Sequence, residues 1–346
     1  MELLFAYQYQ QALRRERVYR DPLDLVHISD QELIRKYLFP RHEIINLAQE
    51  LEPLLQRNTS RSHAIPVITQ ILATLRFFAS GSFQNVLGDS SGLSQPSVSN
   101  VITSVTNILS QKSLNEIKMP AGVISLQQSM RDFHALAGFP SVIGAIDCFH
   151  MPIKAPVDDE AIFVNRKKYH SINIQVVCDA NRRILNFNVS YPGSTRDAFI
   201  WRNCALRARF QRGEFGDGLL LGDSGYPLEP FLMIPFANPA LPAEQEYNRS
   251  HTRTRAIIEQ TFGVLKSRFK CLHKSGRNLQ YEPLKFARII AACLLLHNRC
   301  ILMNLPNPDD YEERRDNMEP EEEQGHDEGE KGLGRQVRQT LVQNYF

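Results

Sequence analysis

Gly218-Leu-Leu-Leu-Gly-Asp223-Ser-Gly-Tyr-Pro227 is a short apolar run that ends in one carboxylate and is stopped by a glycine and a proline. Apolar runs this short, bounded by turn residues, read as buried strands. A carboxylate at the end of such a strand is only partly hydrated, which is costly unless a metal ion or a cationic partner meets it. The same design occurs earlier, in Val142-Ile-Gly-Ala-Ile146-Asp147. Two strands that each deliver an aspartate to one edge of a sheet raise the question of a third acid.

Between the two runs lies a basic loop, Asn165-Arg-Lys-Lys168-Tyr-His170. Ser171 to Cys178 and Arg183 to Ser190 then alternate apolar and polar around Asp179-Ala-Asn181-Arg182, which predicts a β-hairpin. Gly193-Ser-Thr-Arg-Asp197 leads into a helix carrying Phe199, Ile200 and Leu206. Beyond Asp223 a connector holds Pro227, Pro230, Pro235, Pro239 and Pro242, and helices follow over about Ser250–Phe269 and Pro283–Met303. The order strand–Asp147, hairpin, helix, strand–Asp223, helix is that of an RNase H-like α/β domain, a mixed five-stranded sheet flanked by helices. There the first and fourth strands are neighbours, and the third acid projects from the following helix.

Glu259 is the candidate. On its helix Ile258, Phe262, Leu265 and Phe269 form the buried stripe, while Arg255, Glu259, Gly263 and Lys266 fall on an adjoining face. Taken alone, Glu259 reads as a surface residue paired with Arg255, and the two aspartates as strand-end turn residues. Their joint order on these elements favours a site. Magnesium, with manganese as a substitute, prefers oxygen ligands. Two such ions roughly 3.5–4 Å apart activate a water and stabilise the leaving oxygen in phosphodiester cleavage. Asp147 is then the bridging ligand, with Asp223 and Glu259 each completing one metal. Asp197 offers a further ligand, and alone reads equally as a helix N-cap. His150, His170 and Lys154 are candidates to touch the scissile phosphate or the water, against a structural or generic phosphate-contact reading for each.

Residues 1–138 read as a helical N-terminal domain. Ser29 and Glu32 have capping-box spacing before a helix that stops at Pro40, and a second helix covers Arg41 to Leu55. Around 66–110, a helix from Pro66 to Ala79, a short helix from Phe83 to Leu87, a turn at Asp89–Gly92 and a helix capped by Ser94 resemble a helix-turn-helix. Its exposed face would offer Ser97 and Asn100 to DNA. It carries no Lys or Arg to hold phosphates, so a plain helical bundle fits the pattern as well. The RNase H-like domain is expected over 139–305, an acidic disordered linker over 306–332, and a short C-terminal helix over 333–346.

The net charge of +2 conceals a division, since Asp309 to Lys331 holds 12 acidic and 3 basic residues. The remaining 37 Lys and Arg against 26 Asp and Glu give +11, which suits a polyanion partner. Asn248 to Arg288 alone carries ten Lys or Arg against Glu259 and Glu282. From this bias and the basic loop, Arg166, Lys167, Lys168, Arg253, Arg255, Lys266, Arg268 and Lys270 are expected to contact DNA. The six cysteines form no C-x-x-C pair and read as free buried thiols. No apolar run approaches the roughly 18 residues of a membrane span, so no membrane partner is expected and the chain is expected to stay inside the cell.

Several stretches together resemble the PIF/Harbinger transposase family. They include Gly81-Ser82-Phe83-Gln84, Leu93-Ser94-Gln95-Pro96-Ser97-Val98-Ser99, Ala145-Ile-Asp147-Cys-Phe-His150 and Val164-Asn165-Arg166-Lys167. Pro192-Gly193-Ser194-Thr-Arg-Asp197, Leu221-Gly222-Asp223-Ser224, Ile258-Glu259-Gln-Thr-Phe262 and Leu295-Leu296-His297-Asn298 complete the set. The resemblance implies a DDE nuclease whose triad is Asp147, Asp223 and Glu259, with Asp197 as a further acid, using a divalent metal on DNA in the nucleus. It also implies a separately encoded Myb-like DNA-binding partner that assists nuclear entry, so the chain would be cytoplasmic before import. Paired-end chemistry favours at least a homodimer. Cys148 departs from the glycine that many members carry after the first aspartate. The leading expectation is a nuclease that cuts element ends and joins the 3′-hydroxyl to target DNA. The runner-up is a domesticated DNA-binding or partner-recruiting protein, and a metal phosphatase is a weaker third.

Overall fold

The computed structural model describes residues 27–56, 64–272, 281–308 and 328–346. Expectations for residues 1–26, for Lys274 and Arg277, and for most of the acidic segment lie outside them. The chain divides into two compact units, residues 1–77 with 82–104, and residues 78–81 with 105–346.

The first unit is helical, with α1 (Asp30–Tyr37), α2 (Arg41–Leu55) and α4 (Gln84–Ser91), most of α3 (Val67–Ser80) and the start of α5 (Gln95–Glu116). Ser29 Oγ accepts from the Glu32 amide at 3.3 Å, which is the expected N-cap of α1. Helix α4 runs through the stretch expected as a turn and closes at Gly92, whose φ of 68° is the left-handed conformation that ends helices. Leu33, Ile44, Leu47, Leu51, Ile71, Leu75, Val98 and Ile102 form its core.

In the second unit, α6 (Val123–Ala137) packs on β1 (Val142–Pro152), which is followed by β2 (Ser171–Cys178), β3 (Ile184–Pro192), α7 (Asp197–Arg202) and α8 (Ala205–Gln211). Then come β4 (Leu219–Leu221), β5 (Leu232–Met233), α9 (Pro242–Arg268), α10 (Pro283–Leu302) and α11 (Glu328–Tyr345). The sheet order is β3-β2-β1-β4-β5. Strands β1, β2 and β3 are antiparallel neighbours, while β4 runs parallel to β1 and β5 parallel to β4. This is the mixed five-stranded RNase H-like sheet flanked by helices.

Several elements of this unit also differ from the sequence reading. Strand β1 does not stop at Asp147, because its antiparallel pairing with β2 continues to Pro152 opposite Ser171. Strand β5 lies inside the proline-rich connector. Helix α9 starts at Pro242, eight residues before Ser250: proline has no amide to lose at a first helical position, and Glu244 Oε2 accepts from the amides of Ala240 at 2.7 Å and Leu241 at 3.2 Å. Helix α11 begins at Glu328, within the stretch expected as linker. Its far end is pinned where Phe346 meets Phe139 and Tyr247, with ring centroids 5.5 and 5.6 Å apart.

Candidate active site

Pairing of β1 with β4 ends at Ala145 opposite Leu221. Asp147 lies two residues beyond Ala145, and Asp223 two beyond Leu221. Side chains two apart in a strand share a face, so the parallel register brings the two carboxylates to the same edge. Asp223 sits in a turn, its Oδ1 accepting from the Gly225 amide at 3.0 Å. Asp147 is 3 % exposed, and its Oδ1 accepts from the Cys148 amide at 2.7 Å.

Helix α9 packs across this face through Phe262, whose ring lies 4.5 Å from that of Phe149. The same helix supplies Arg255 and Glu259, four residues apart and therefore stacked on one side. Arg255 donates from Nη1 to Asp147 Oδ2 at 3.1 Å and from Nη2 to Glu259 Oε1 at 2.6 Å. One guanidinium thus bridges the first and third acids. Glu259 is not simply a surface residue paired with Arg255, since its partner reaches a buried aspartate.

Asp197 enters from the other side of the sheet edge. It is the first residue of α7 rather than its N-cap, which is Arg196. Asn173 Nδ2 donates to Asp197 Oδ1 at 2.8 Å and to the Thr195 carbonyl at 2.9 Å. The preceding loop presses close to β2, for a Cβ at Gly193 would collide with Ser171 and with the Phe163 carbonyl. Cys148 is buried, with Sγ 3.2 Å from Tyr226 Oη, and burial followed by the nearby Asp197 charge pushes its thiol pKa well up. A buried neutral thiol is a poor metal ligand.

The electrostatics are those of an anion-rich site. Burial raises the Asp147 pKa, Arg255 opposes the rise, and the charges of Asp223 and Asp197 add to it, leaving it at about 8. Burial lowers the Arg255 pKa, but the charges of Asp147, Glu259 and Asp223 together outweigh it and leave it raised. Carboxylate oxygens gathered in this way are the donors that a hard divalent cation prefers. Among the described residues no three Asp, Glu, His or Cys side chains converge at ligand distance, and Arg255 holds two of the oxygens a metal would take.

The expected DNA contacts fall into three groups. Arg166, Lys167, Lys168, Arg253 and Lys270 are exposed, and Lys266 is half-buried with Nζ 5.1 Å from the Phe149 ring centre. Arg268 is a correction: it is 5 % exposed and donates to the carbonyls of Leu305 and Pro306 at 3.5 and 3.1 Å, so it is spent inside the fold. Arg255, expected on DNA, is largely enclosed by the acids. Ser97 and Asn100 belong to the first unit, where Ser97 Oγ pairs with Ser94 Oγ at 2.9 Å and Asn100 is exposed. His170 Nε2 meets Glu160 at 2.9 Å, and Lys154 is exposed. Asn173 went unnoticed in the sequence, where a buried asparagine in an alternating strand carries no signal of its own.

The model of the DDE superfamily endonuclease family matches residues 146–298, a span that takes in all four acids. "Putative nuclease HARBI1" of Bos taurus is 39% identical over 94% of this chain and 93% of its own length, and the Homo sapiens protein of that name is equally similar. This chain belongs to the Harbinger-derived family of DDE endonucleases. "Protein ALP1-like" of Arabidopsis thaliana is a more distant relative, 24% identical over 72% of this chain and 64% of its own length. No solved structure matches the chain. All six cysteines are buried and free of disulfides, and among the described residues no helix is long and apolar enough to cross a membrane.

Proposed function

We propose that this member is a divalent-metal-dependent DNA endonuclease in which Asp147, Asp223 and Glu259 form the catalytic set and Asp197 adds a fourth oxygen donor. The observation that carries the reading is the β1–β4 register, which sets Asp147 beside Asp223 while Arg255 ties Asp147 to Glu259. When bound, the metal would polarise the phosphodiester and the attacking water. Asp147 and Asp223 hold carboxyl oxygens fixed on a rigid sheet edge, Asn173 orients Asp197, and Arg255 ties Asp147 to Glu259 before any cation arrives. Transposon-end cleavage, joining of the 3′-hydroxyl, action with a Myb-like partner in the nucleus and at least a dimeric state belong to the same proposal.

Purified protein should nick or cut duplex DNA in Mg2+ or Mn2+, with or without a Myb-like partner, and lose this in chelator. Asp147→Asn, Asp223→Asn or Glu259→Gln should each abolish cleavage while leaving the fold intact. Cleavage at wild-type rate by any of the three ends the assignment. The bridging position of Arg255 favours a second reading, a DNA-binding or partner-recruiting protein whose acids are permanently neutralised. Tight DNA binding without cleavage under all these conditions would select it.

A further inference from the structure

Three residues past Asp147 on β1, His150 stands apart from the acids. Its Nδ1 lies 3.1 Å from Ser171 Oγ, and Asn165 Nδ2 donates to the same oxygen at 2.9 Å. Ser171 is fully buried, so its hydroxyl hydrogen needs an acceptor. The Asn165 amide nitrogen cannot accept, whereas the imidazole Nδ1 can. The chain Asn165 to Ser171 to His150 therefore fixes the tautomer that carries its hydrogen on Nε2. Among the described residues that Nε2 has no hydrogen-bond partner.

The surroundings are cationic. Burial lowers the His150 pKa first, and then Lys167, Arg166 and Lys266 lower it further, to about 4. These cations come from the 165–168 loop and from α9. The loop is fixed by Asn165, whose amide donates to the Tyr169 carbonyl at 3.0 Å and whose carbonyl accepts from the Lys168 amide at 3.0 Å. Lys168 holds a left-handed φ of 62° in that turn. A neutral N–H donor ringed by positive charge from separate elements matches a phosphate oxygen, which accepts hydrogen bonds and is drawn by each cation.

We infer that His150, with Arg166, Lys167 and Lys266, forms a subsite for one DNA backbone phosphate, in which the imidazole Nε2–H donates to a non-bridging oxygen. The inference rests on the nuclease reading and adds to it a specific, uncharged phosphate contact.

A neutral contact and a charged one leave different signatures in salt. Full-length protein should be titrated with a blunt duplex oligonucleotide of arbitrary sequence in chelator, at several salt concentrations. His150→Leu should weaken binding about tenfold at every salt concentration, as loss of a hydrogen bond to a charged group requires, with the slope of log affinity against log salt unchanged. His150→Gln, which keeps an N–H donor in that place, should bind nearly as wild type. Replacing Arg166, Lys167 and Lys266 together by alanine should reduce the slope by about 0.9, the loss of the one phosphate they neutralise. Adding His150→Leu to Lys266→Ala should cost less than it does alone. Wild-type affinity in a folded His150→Leu protein, or equal weakening by His150→Gln and His150→Leu, would overturn the inference. The nuclease reading is judged separately, by metal-dependent cleavage in the wild-type protein.

Discussion

Asp147 and Glu229 are both nearly sealed from solvent, 3 % and 2 % exposed, yet their surroundings are opposite in kind. Arg207 Nε donates to both Glu229 oxygens, at 2.9 and 3.2 Å, and Trp201 Nε1 adds a third bond at 3.1 Å. One anion meets one cation and a neutral donor, which ties α7 and α8 to the segment after β4. Around Asp147, the Arg255 guanidinium donates to Asp147 and to Glu259, and the charges of Asp223 and Asp197 also press on the buried carboxyl. A buried charge that is matched holds a fold together. A buried carboxyl crowded by further carboxylates is a cost that the fold carries for some other purpose, and a cation supplied from outside is the simplest one.

The largest effect that tests this contrast is on activity. Asp147→Asn or Asp223→Asn should cut DNA cleavage by roughly a thousandfold or more, since the metal clamp contributes several kcal/mol to the transition state. The same changes should leave the melting temperature of metal-free protein equal or higher, because asparagine cannot take up the charge that burial and the neighbouring carboxylates disfavour at this edge. A large fall in melting temperature would mean that the acids are structural. Glu229→Gln should do the reverse. Breaking a buried pair typically costs about 3–5 kcal/mol of stability, and Arg207 would be left without its counter-charge. Cleavage per folded molecule should stay near wild type, and its loss in well-folded Glu229→Gln protein would erase the distinction between the two carboxylates.

The pH dependence separates them further. The folded Asp147 carboxyl binds a proton more tightly than an unfolded aspartate, with a pKa of about 8 against an ordinary 3.8. Between these values the native state holds more protons than the unfolded state, so stability falls as pH rises. The melting temperature of metal-free protein should therefore decline from about pH 5 to pH 8, and Asp147→Asn should flatten the decline. Mg2+ or Mn2+ should raise the melting temperature most at the upper end, where the carboxylate is ionised. A wild-type profile that is flat or rises with pH would show that Arg255 already balances the site.

The acids and their supporting elements were legible because they lie in short apolar runs and at helical spacing. Ser171–Cys178, Arg41–Leu55 and the buried stripe of Ile258, Phe262 and Leu265 follow from periodicity alone. What escaped depends on partners distant in sequence. Strand β1 past Asp147 is specified by pairing with β2, and β5 is two residues long between prolines. Pro242 looks like a breaker until its neighbours supply a helix start. Arg255 and Arg268 look like surface cations in a basic stretch, and only tertiary packing assigns one to Asp147 and the other to the carbonyls of Leu305 and Pro306. Glu229 gave no signal, for its partners Trp201 and Arg207 lie 28 and 22 residues away.

Asn173 gives the smallest and most selective test. It is fully buried, its Nδ2 makes both of its described bonds, and its Oδ1 has no partner among the described residues. An asparagine kept in that state serves through its NH2 group, which fixes the Thr195 carbonyl and one oxygen of Asp197. Asn173→Leu preserves the volume and removes an unmet acceptor along with the donor, so part of the stability lost with the two bonds is recovered. Metal affinity should still fall, by about 10–100-fold if Asp197 is a ligand, as is usual when a partner that orients a ligand is lost. Mn2+ titration followed by electron paramagnetic resonance reads this without any cleavage step. Unchanged Mn2+ affinity in a folded Asn173→Leu protein would remove Asp197 from the metal site and leave Asp147, Asp223 and Glu259 to hold the cation alone.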